Sequence, residues 1–425
     1  MQEMLPGFLT AVSLTVSLLL LPTLFVQAGA DFMGVYTASM LMAAAGCLIF
    51  GRLGLPVAAA PGAALSAWLV SVIILAHGVS WQMVLFMGAA VSLALTLLFV
   101  ILIKSGRLQK LSQLFPPCIA DGLRGALGLL LIFQGLYQGH LLLGSPTGLL
   151  QLGNLTDPVA YLSLAGIIAM LALMAVKNRF AVLGGVFVTA LLAFIGGFWV
   201  LPDAPFFLPA GLDKTGLQLI FMNGWDNIRA CDYINLTLFL LLYLCFESWG
   251  GLSALLPREK RAANGLMAKS VLTLSSLSFV SCLLGSMPHT AAPESAVGQA
   301  NGGRSGRMAY FTAAFLVLLL FAEPTLKSMA SFTAILAPAL FGAGLVLLQN
   351  FARAFQGDLA EKTAAGLLFL LLPLTQNIAA GLGLSCIAFV SLKILSGKSG
   401  AVSHLQRLLA VIFALYFFYG FWASV

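Results

Sequence analysis

Long apolar runs, separated by short polar or basic segments, extend along almost the whole chain. A helix that crosses a bilayer needs about 20 predominantly apolar residues. Runs of about this length occupy residues 5–27, 34–51, 57–76, 82–103, 118–137, 158–177, 180–201, 233–256, 266–286, 307–325 and 329–350. We expect each of these runs to be a transmembrane segment.

Three further apolar stretches have less regular lengths. Residues 288–303 are short and contain Pro288 and Pro293. Residues 363–395 are interrupted by the polar residues 375–377, which predicts two short helices that enter the membrane and return. The run 404–424 predicts either an additional span or a helix that lies in the membrane interface. The whole pattern predicts an all-α integral membrane protein with about fourteen transmembrane segments.

Composition and charge point in the same direction. Of the 425 residues, 60% are hydrophobic and 8% are charged, whereas about 25% are charged in a soluble domain. With a cytoplasmic N-terminus, most of the Lys and Arg residues behind the net charge of +7 fall in inside loops, as expected for membrane proteins. The charge therefore predicts a cytoplasmic N-terminus for a protein in the lipid bilayer of the plasma (inner) membrane. It does not indicate binding of nucleic acid.

The side chains that most often carry catalysis or bind metals are scattered along the sequence. The 6 cysteines and 4 histidines form no CxxC pair and no Cys/His cluster. A membrane enzyme would need a nucleophile–base pair or a metal cluster. The sequence therefore predicts no metal, no cofactor and no enzymatic activity.

Two segments of the chain resemble each other. Residues 56–67 read PVAAAPGAALSA and residues 288–299 read PHTAAPESAVGQ, an offset of 232 between positions 56 and 288. At the same offset the first span is equivalent to the eighth. Because seven is an odd number of spans, two consecutive units of seven spans must have opposite orientations in the membrane. We therefore predict a 7+7 inverted repeat, residues 1–205 and 230–425, with broken third and tenth helices, an organisation typical of secondary transporters.

The prolines of these segments predict how the helices are broken. Proline removes a backbone donor and disrupts the preceding helical turn. We expect an extended stretch and then a half-helix in each segment, with the two half-helix N-termini facing each other near the midplane. Their N–H groups and positive dipole ends suit the acceptor atoms of a polar solute. The alternative is a pair of proline kinks that only shape helix packing.

Two carboxylates lie within the predicted spans. Glu247 is inside the eighth span, and Glu294 follows Pro293 at the first turn of the second half-helix. A charged carboxylate near a helix centre costs about 2.5–3.5 kcal/mol on insertion scales, so it normally faces a cavity. Such a group can accept N–H groups of a heterocycle and can bind a proton. We predict substrate binding and proton coupling at both, the alternatives being a structural carboxyl at Glu247 and a capping charge at Glu294.

Four motifs carry a resemblance to a known family. APESAVGQANGGRSGRMAYFTA, LPVAAAPGAALSAW, FESWGGL and LLPLTQNIAAGLGLSCIAFVSLKILSGK resemble the signatures of AzgA-like purine permeases in the nucleobase–ascorbate transporter superfamily. The likeness extends over essentially the whole chain. It implies a substrate-carrying core of spans 1–4 and 8–11, a gate of spans 5–7 and 12–14, and proton-coupled uptake of a nucleobase, with a purine favoured.

The resemblance also implies which residues contact the substrate. They are Glu247, Glu294, Pro293, Ser295, Ala63, Ala64, Ser66 and Ser17. A homodimer through the gate spans is compatible with the same family likeness.

Departures from the family motifs leave alternatives open. Glu replaces Asp at position 247, and AAL replaces MGL at 63–65, so uracil and xanthine stay open beside a purine. An anion carrier on the same architecture, for a carboxylate, bicarbonate or sulfate-like ion, would place a basic residue near the half-helix tips. A non-transporting membrane scaffold or receptor is the alternative of another class.

Overall fold

Helices make up most of the chain, and two short pairs of strands interrupt them. The structure is a computed structural model that describes residues 3–62, 65–66, 69–76, 78–106, 116–144, 150–178, 180–208, 230–256, 265–348, 351–375 and 378–423.

The first half of the chain contains six α-helices and three strands within the described ranges. In chain order they are α1 (Met4–Gln27), α2 (Phe32–Arg52), β1 (Ala59–Pro61), a π-helix (Leu69–Ala76), α3 (Trp81–Lys104), α4 (Pro117–Gln138), β2 (Leu142–Gly144), β3 (Leu150–Leu152), α5 (Pro158–Ala175) and α6 (Ala181–Ile195). The strands β2 and β3 pair with each other in a hairpin.

The second half is organised similarly. Its elements are α7 (Ala230–Leu255), α8 (Leu266–Leu283), β4 (His289–Ala291), α9 (Ser295–Ala300), α10 (Gly306–Leu320), α11 (Glu323–Ser331), α12 (Ala337–Leu348), α13 (Leu359–Thr375), α14 (Ile378–Leu395) and α15 (His404–Ala423). Short 3₁₀ helices occupy Thr333–Ile335, Phe351–Phe355 and Ser399–Ala401.

The predicted helix boundaries agree with the structure at some places and differ at others. Helix α13 ends at Thr375 and α14 begins at Ile378, on the two sides of the predicted polar break. The predicted run 329–350 is divided among α11, a 3₁₀ helix and α12. Helix α10 ends at Leu320, and the helical segment from Glu323 to Met329 turns away from it by 92°. Pro324 in the first turn of α11 suits such a new helix start.

Several described helices are long and apolar enough to cross a membrane. By length and composition they number 5, namely α1, α2, α3, α5 and α8. The bent pair of α10 and α11 would raise the number to 6. These helices identify an integral membrane protein, while the total of about fourteen spans stays a prediction.

Packing divides the helices into two groups. In one group, α1 packs against α2, α9 and α10, while α2 packs against α10 and α3 against α8. In the other group, α4 packs against α12 and α13, α5 against α6, and α13 against α14. Helix α7 contacts α3 and α8 of the first group and also α4 and α14 of the second. It therefore lies where the two groups meet.

The two segments predicted to be broken meet in a small antiparallel sheet. Strand β1 pairs with β4, with Ala59 opposite Ala291 and Ala60 opposite Thr290. The ladder continues on both sides, because Gly62 N donates to Pro288 O at 3.3 Å and Ala292 N donates to Ala58 O at 2.9 Å. The extended stretches that the prolines predict are present, and each satisfies the backbone of the other.

Buried side chains satisfy the rest of this interrupted backbone. The Ser278 hydroxyl lies 2.9 Å from both the N and the O of His289. The amide of Gln299 donates to Pro56 O at 2.8 Å, and Ser281 donates to Met287 O at 3.0 Å. Backbone groups inside a membrane protein need such partners because lipid offers none. The helix breaks are therefore stable parts of the fold.

Candidate functional site

A cavity lies where the β1–β4 sheet meets α1, α4 and α7. It contains about 560 Å³ of empty space, part of which is open solvent. Its lining consists of Ser17, Ala60, Pro61, Gly62, Leu127, Leu130, Leu131, Gln134, Glu247, Gly251 and residues 290–294. Both carboxylates that the sequence singles out belong to this lining.

Glu294 is positioned by the turn that follows Pro293. It precedes α9 with an αR backbone, and its side chain makes no capping hydrogen bond to that helix. Its Oε1 instead accepts a hydrogen bond from the Ser17 hydroxyl of α1. The residue is only 2% exposed. The carboxylate is therefore held by α1 and not by a capping hydrogen bond to α9.

Glu247 reaches the cavity from α7. The residue is 5% exposed, and its Oε2 has no hydrogen-bond partner in the part of the chain that the structure describes. The Tyr243 hydroxyl, one helical turn away, interacts with the same carboxylate. A buried carboxylate oxygen without a protein partner is costly unless a ligand, a proton or water meets it. This arrangement is more typical of a binding group than of a purely structural carboxyl.

A glycine lets Glu247 approach the tip of the first broken segment. A Cβ atom built on Gly62 would lie 3.3 Å from Oε1 of Glu247 and 3.3 Å from Cγ2 of Thr290. These separations are tighter than most Cβ contacts. Because residue 62 has no side chain, the Glu247 carboxylate has room beside it.

The remaining predicted site residues have different surroundings. Ser17 and Pro293 line the cavity. Ser66 and Ser295 are buried but are not among the lining residues: Ser66 donates to Gly62 O at 2.7 Å, and Ser295 donates to Ala292 O at 2.7 Å. The Ser295 hydroxyl also accepts from Ala58 N at 2.9 Å, so it links the two broken segments.

Ala63 and Ala64 lie outside the described residues. Their predicted contact with substrate stays a prediction.

Several lining residues were not predicted from the sequence. Thr290 belongs to β4, Gly251 lies one turn beyond Glu247 on α7, and Gln134 comes from α4. Gln134 had a detectable signal, since it is a lone amide in the apolar stretch LLLIFQGLY. Thr290 and Gly251 had none, because their place depends on how distant elements pack.

The lining has a simple electrostatic character. It contains two carboxylates and, among its described members, no Lys, Arg or His. No group of three or more His, Cys, Asp or Glu residues that could hold a metal ion occurs in the described ranges. Such a cavity offers acceptors and hydroxyls to a neutral solute that carries N–H donors.

Comparison with known proteins places these features in a family. The model of the permease family Xan_ur_permease matches residues 1–384. A permease of Methanocaldococcus jannaschii is 31% identical over 98% of this chain and 94% of its own length. The guanine/hypoxanthine permease PbuO of Bacillus subtilis is 28% identical over 98% and 97%. The adenine permease AdeP of Escherichia coli is 27% identical over 97% and 92%.

Solved structures show the same fold. The transmembrane domain of the cyanobacterial bicarbonate transporter BicA superposes with a TM-score of 0.57 at 14% identity, covering 91% of this chain and 97% of that domain. The murine anion transporter Slc26a9 in its inward-facing state superposes with a TM-score of 0.54 at 11% identity, covering 93% of this chain and 68% of that one.

Proposed function

The chain belongs to this permease family, the nucleobase–ascorbate transporters, and on that premise we propose that it takes up a purine nucleobase together with a proton. It would do so as a secondary active transporter of the plasma (inner) membrane with a cytoplasmic N-terminus. Relatives whose names give guanine, hypoxanthine or adenine as substrate, over more than nine-tenths of this chain, support the purine.

One observation carries the proposal: Glu247 and Glu294 line the same cavity, at the tips of the two broken segments. A purine presents ring N–H groups that a carboxylate accepts, and a carboxylate that alternates between charged and neutral forms carries one proton per cycle. One of the two would hold the base while the other exchanges the proton. The same site would therefore carry both the base and the proton.

We also propose the division into an inverted repeat of 1–205 and 230–425. The register of β1 and β4 supports it, because Ala59 and Ala291, equivalent at the offset of 232, lie opposite each other. At the same offset, the pair Ala60–Thr290 is equivalent to the pair Ala292–Ala58, which is joined by a hydrogen bond. Exchange of the two segments therefore leaves the pairing unchanged, as a two-fold relation requires.

The two packing groups support a core and a gate. The first group contains the broken segments and Glu294, α7 with Glu247 lies where the groups meet, and α4 of the second group also contributes to the cavity lining. Movement of one group against the other would expose the cavity to alternate sides of the membrane. A homodimer through the gate spans stays a prediction from the family likeness.

An anion carrier is the competing function on this fold. Such a site needs a positive charge or free N–H donors to bind an anion. The described cavity lining offers two carboxylates and no basic side chain. This charge pattern favours a neutral heterocycle over bicarbonate or another anion.

The decisive experiment uses the full chain, purified and reconstituted into vesicles with a pH-sensitive dye inside. Adenine, guanine, hypoxanthine, xanthine, uracil and bicarbonate are supplied outside, with and without an inward proton gradient. We expect uptake of at least one purine, faster with the gradient and accompanied by internal acidification. Uptake of bicarbonate alone would support the anion carrier, and purine uptake without proton movement would remove the coupling.

A further inference from the structure

One wall of the cavity comes from a single helix. Leu127, Leu130, Leu131 and Gln134 of α4 all line the cavity, and their spacing places them on one helical face. Three of the four are aliphatic. Gln134 is therefore the one polar side chain that this wall presents among the described lining residues.

The amide of Gln134 has no hydrogen-bond partner in the described ranges of the chain. The residue is half-buried, on the helix that packs against α12 and α13. An amide side chain carries one acceptor oxygen and two N–H donors. The amide of Gln134 is therefore available to hydrogen-bond a solute that enters the cavity.

We infer that Gln134 binds the nucleobase from the α4 wall and helps to select which purine is accepted, an inference that rests on the proposed function. The two carboxylates of the lining accept hydrogen bonds when they are charged, whereas an amide accepts and donates together. Purines carry such mixed edges: adenine pairs an amino donor with a ring-nitrogen acceptor, and hypoxanthine and guanine pair a carbonyl with a ring N–H. A glutamine amide matches edges of this type with two hydrogen bonds.

The placement of Gln134 gives this contact a second consequence. Glu294 lies in the second broken segment, within the first packing group, and Glu247 lies on α7 where the two groups meet, whereas Gln134 belongs to α4 of the second group. A base held on both sides joins the two groups only while the cavity is closed around it. Gln134 is then a contact through which occupancy of the site favours the closed arrangement.

The test compares KM for adenine, hypoxanthine and guanine uptake in vesicles that contain wild type, Gln134→Leu, Gln134→Glu or Gln138→Leu. We expect Gln134→Leu to raise KM for the transported purine about tenfold, the effect of one lost hydrogen-bonded contact. The matched control is Gln138→Leu: it removes the same amide one turn further along α4, outside the cavity lining, and should alter KM by less than about twofold. Gln134→Glu should shift the preference from hypoxanthine towards guanine, because a carboxylate only accepts and guanine adds an amino donor.

The outcomes separate this inference from the function on which it rests. If wild type transports purines and Gln134→Leu has an unchanged KM, the role of Gln134 is wrong while the transport function stands. If wild type transports no nucleobase, both proposals are wrong. Should Gln134→Leu fail to fold, Gln134→Glu decides through the guanine-to-hypoxanthine ratio, and an unchanged ratio overturns the role.

Discussion

The hydroxyl of Ser17 donates a hydrogen bond to Oε1 of Glu294, although the two residues are 277 positions apart in the sequence. Ser17 belongs to the uninterrupted helix α1, and Glu294 lies at the tip of the second broken segment. The hydrogen bond orients the carboxylate. It joins two of the residues for which substrate contact is predicted.

Removal of this hydroxyl should impair transport. In Ser17→Ala, Glu294 loses its donor while buried, and we expect purine uptake at low substrate concentration to fall about tenfold. Ser17→Thr keeps a hydroxyl and should restore most of the uptake. Ser13→Ala, one turn away on α1, removes a buried hydroxyl that has no partner in the described chain and is the matched control. Equal effects of Ser13→Ala and Ser17→Ala would contradict the role of the hydrogen bond.

Neutral replacements of the two carboxylates separate binding from proton coupling. Glutamine keeps the shape of glutamate and removes its ability to exchange a proton. We expect Glu294→Gln to abolish uptake in a protein that still folds, and Glu247→Gln to weaken binding or remove the pH dependence of uptake. Exchange of labelled for unlabelled purine needs no net proton movement, so a variant that loses only coupling retains it. Unchanged gradient-driven uptake in Glu294→Gln would remove that residue from the mechanism.

A methyl group at position 62 should crowd the site. In Gly62→Ala the new Cβ would lie 3.3 Å from Glu247 Oε1 and 3.5 Å from its Oε2, so the carboxylate must shift. We expect KM for the purine to rise about tenfold with little change in thermal stability. Gly251→Ala also adds a methyl to the cavity lining, but at 3.4 Å from Ala291 O it meets ordinary contacts and should be milder. Equal KM values in the two variants would argue against the proposed role of Gly62.

The carboxylate of Glu3 holds the start of α10 in a pH-dependent way. It accepts from Met308 N at 3.0 Å, Ser305 N at 3.2 Å and Ser305 Oγ at 2.6 Å. Burial raises the pKa of Glu3, but these hydrogen bonds together hold it below its ordinary value of 4.5. The stabilisation is therefore present above pH 4.5 and is lost as the pH falls through the lower pKa of the folded protein.

Glu3→Gln should accordingly lower stability by about 1 kcal/mol at neutral pH, the usual effect of a lost helix cap. The melting temperatures of wild type and variant in detergent should converge as the pH is lowered below 4.5. A difference that stays constant with pH would show that the charge of Glu3 is irrelevant to the cap.

A buried lysine joins the start of α13 to the end of α14. Lys393 Nζ lies 2.8 Å from both Asp358 Oδ2 and Glu361 Oε1, and its side chain is 8% exposed. In Lys393→Met two neighbouring carboxylates lose their common cation, and we expect the melting temperature to fall by about 2–4 °C or more. Lys398→Met removes a lysine that is 58% exposed and 3.2 Å from Asp358; such surface pairs contribute little. If both variants melted like wild type, the ion pairs of Lys393 would make no contribution to stability.

Much of the architecture could be read from local sequence. The apolar runs predicted helices such as α1, α2 and α3 to within a few residues, because lipid demands about 20 apolar residues at each span. The prolines of residues 56–61 and 288–293 predicted extended segments, and the structure has strands there. The prediction of 329–350 as a single run was wrong, because α11 ends at Ser331 and α12 begins at Ala337 after a short 3₁₀ helix. Hydropathy does not register where one helix ends and the next begins.

The sequence by itself determined that this chain is a helical membrane protein with two broken segments and with Glu247 and Glu294 as its notable carboxylates. Each of these conclusions rests on a local cost, either of exposing polar backbone to lipid or of burying a charge. Only the tertiary structure decided that the Ser17 hydroxyl meets Glu294, that Gly62 lies against Glu247 and that Gln134 of α4 lines the same cavity. These relations depend on how helices far apart in the chain pack together, and no local pattern of residues specifies that.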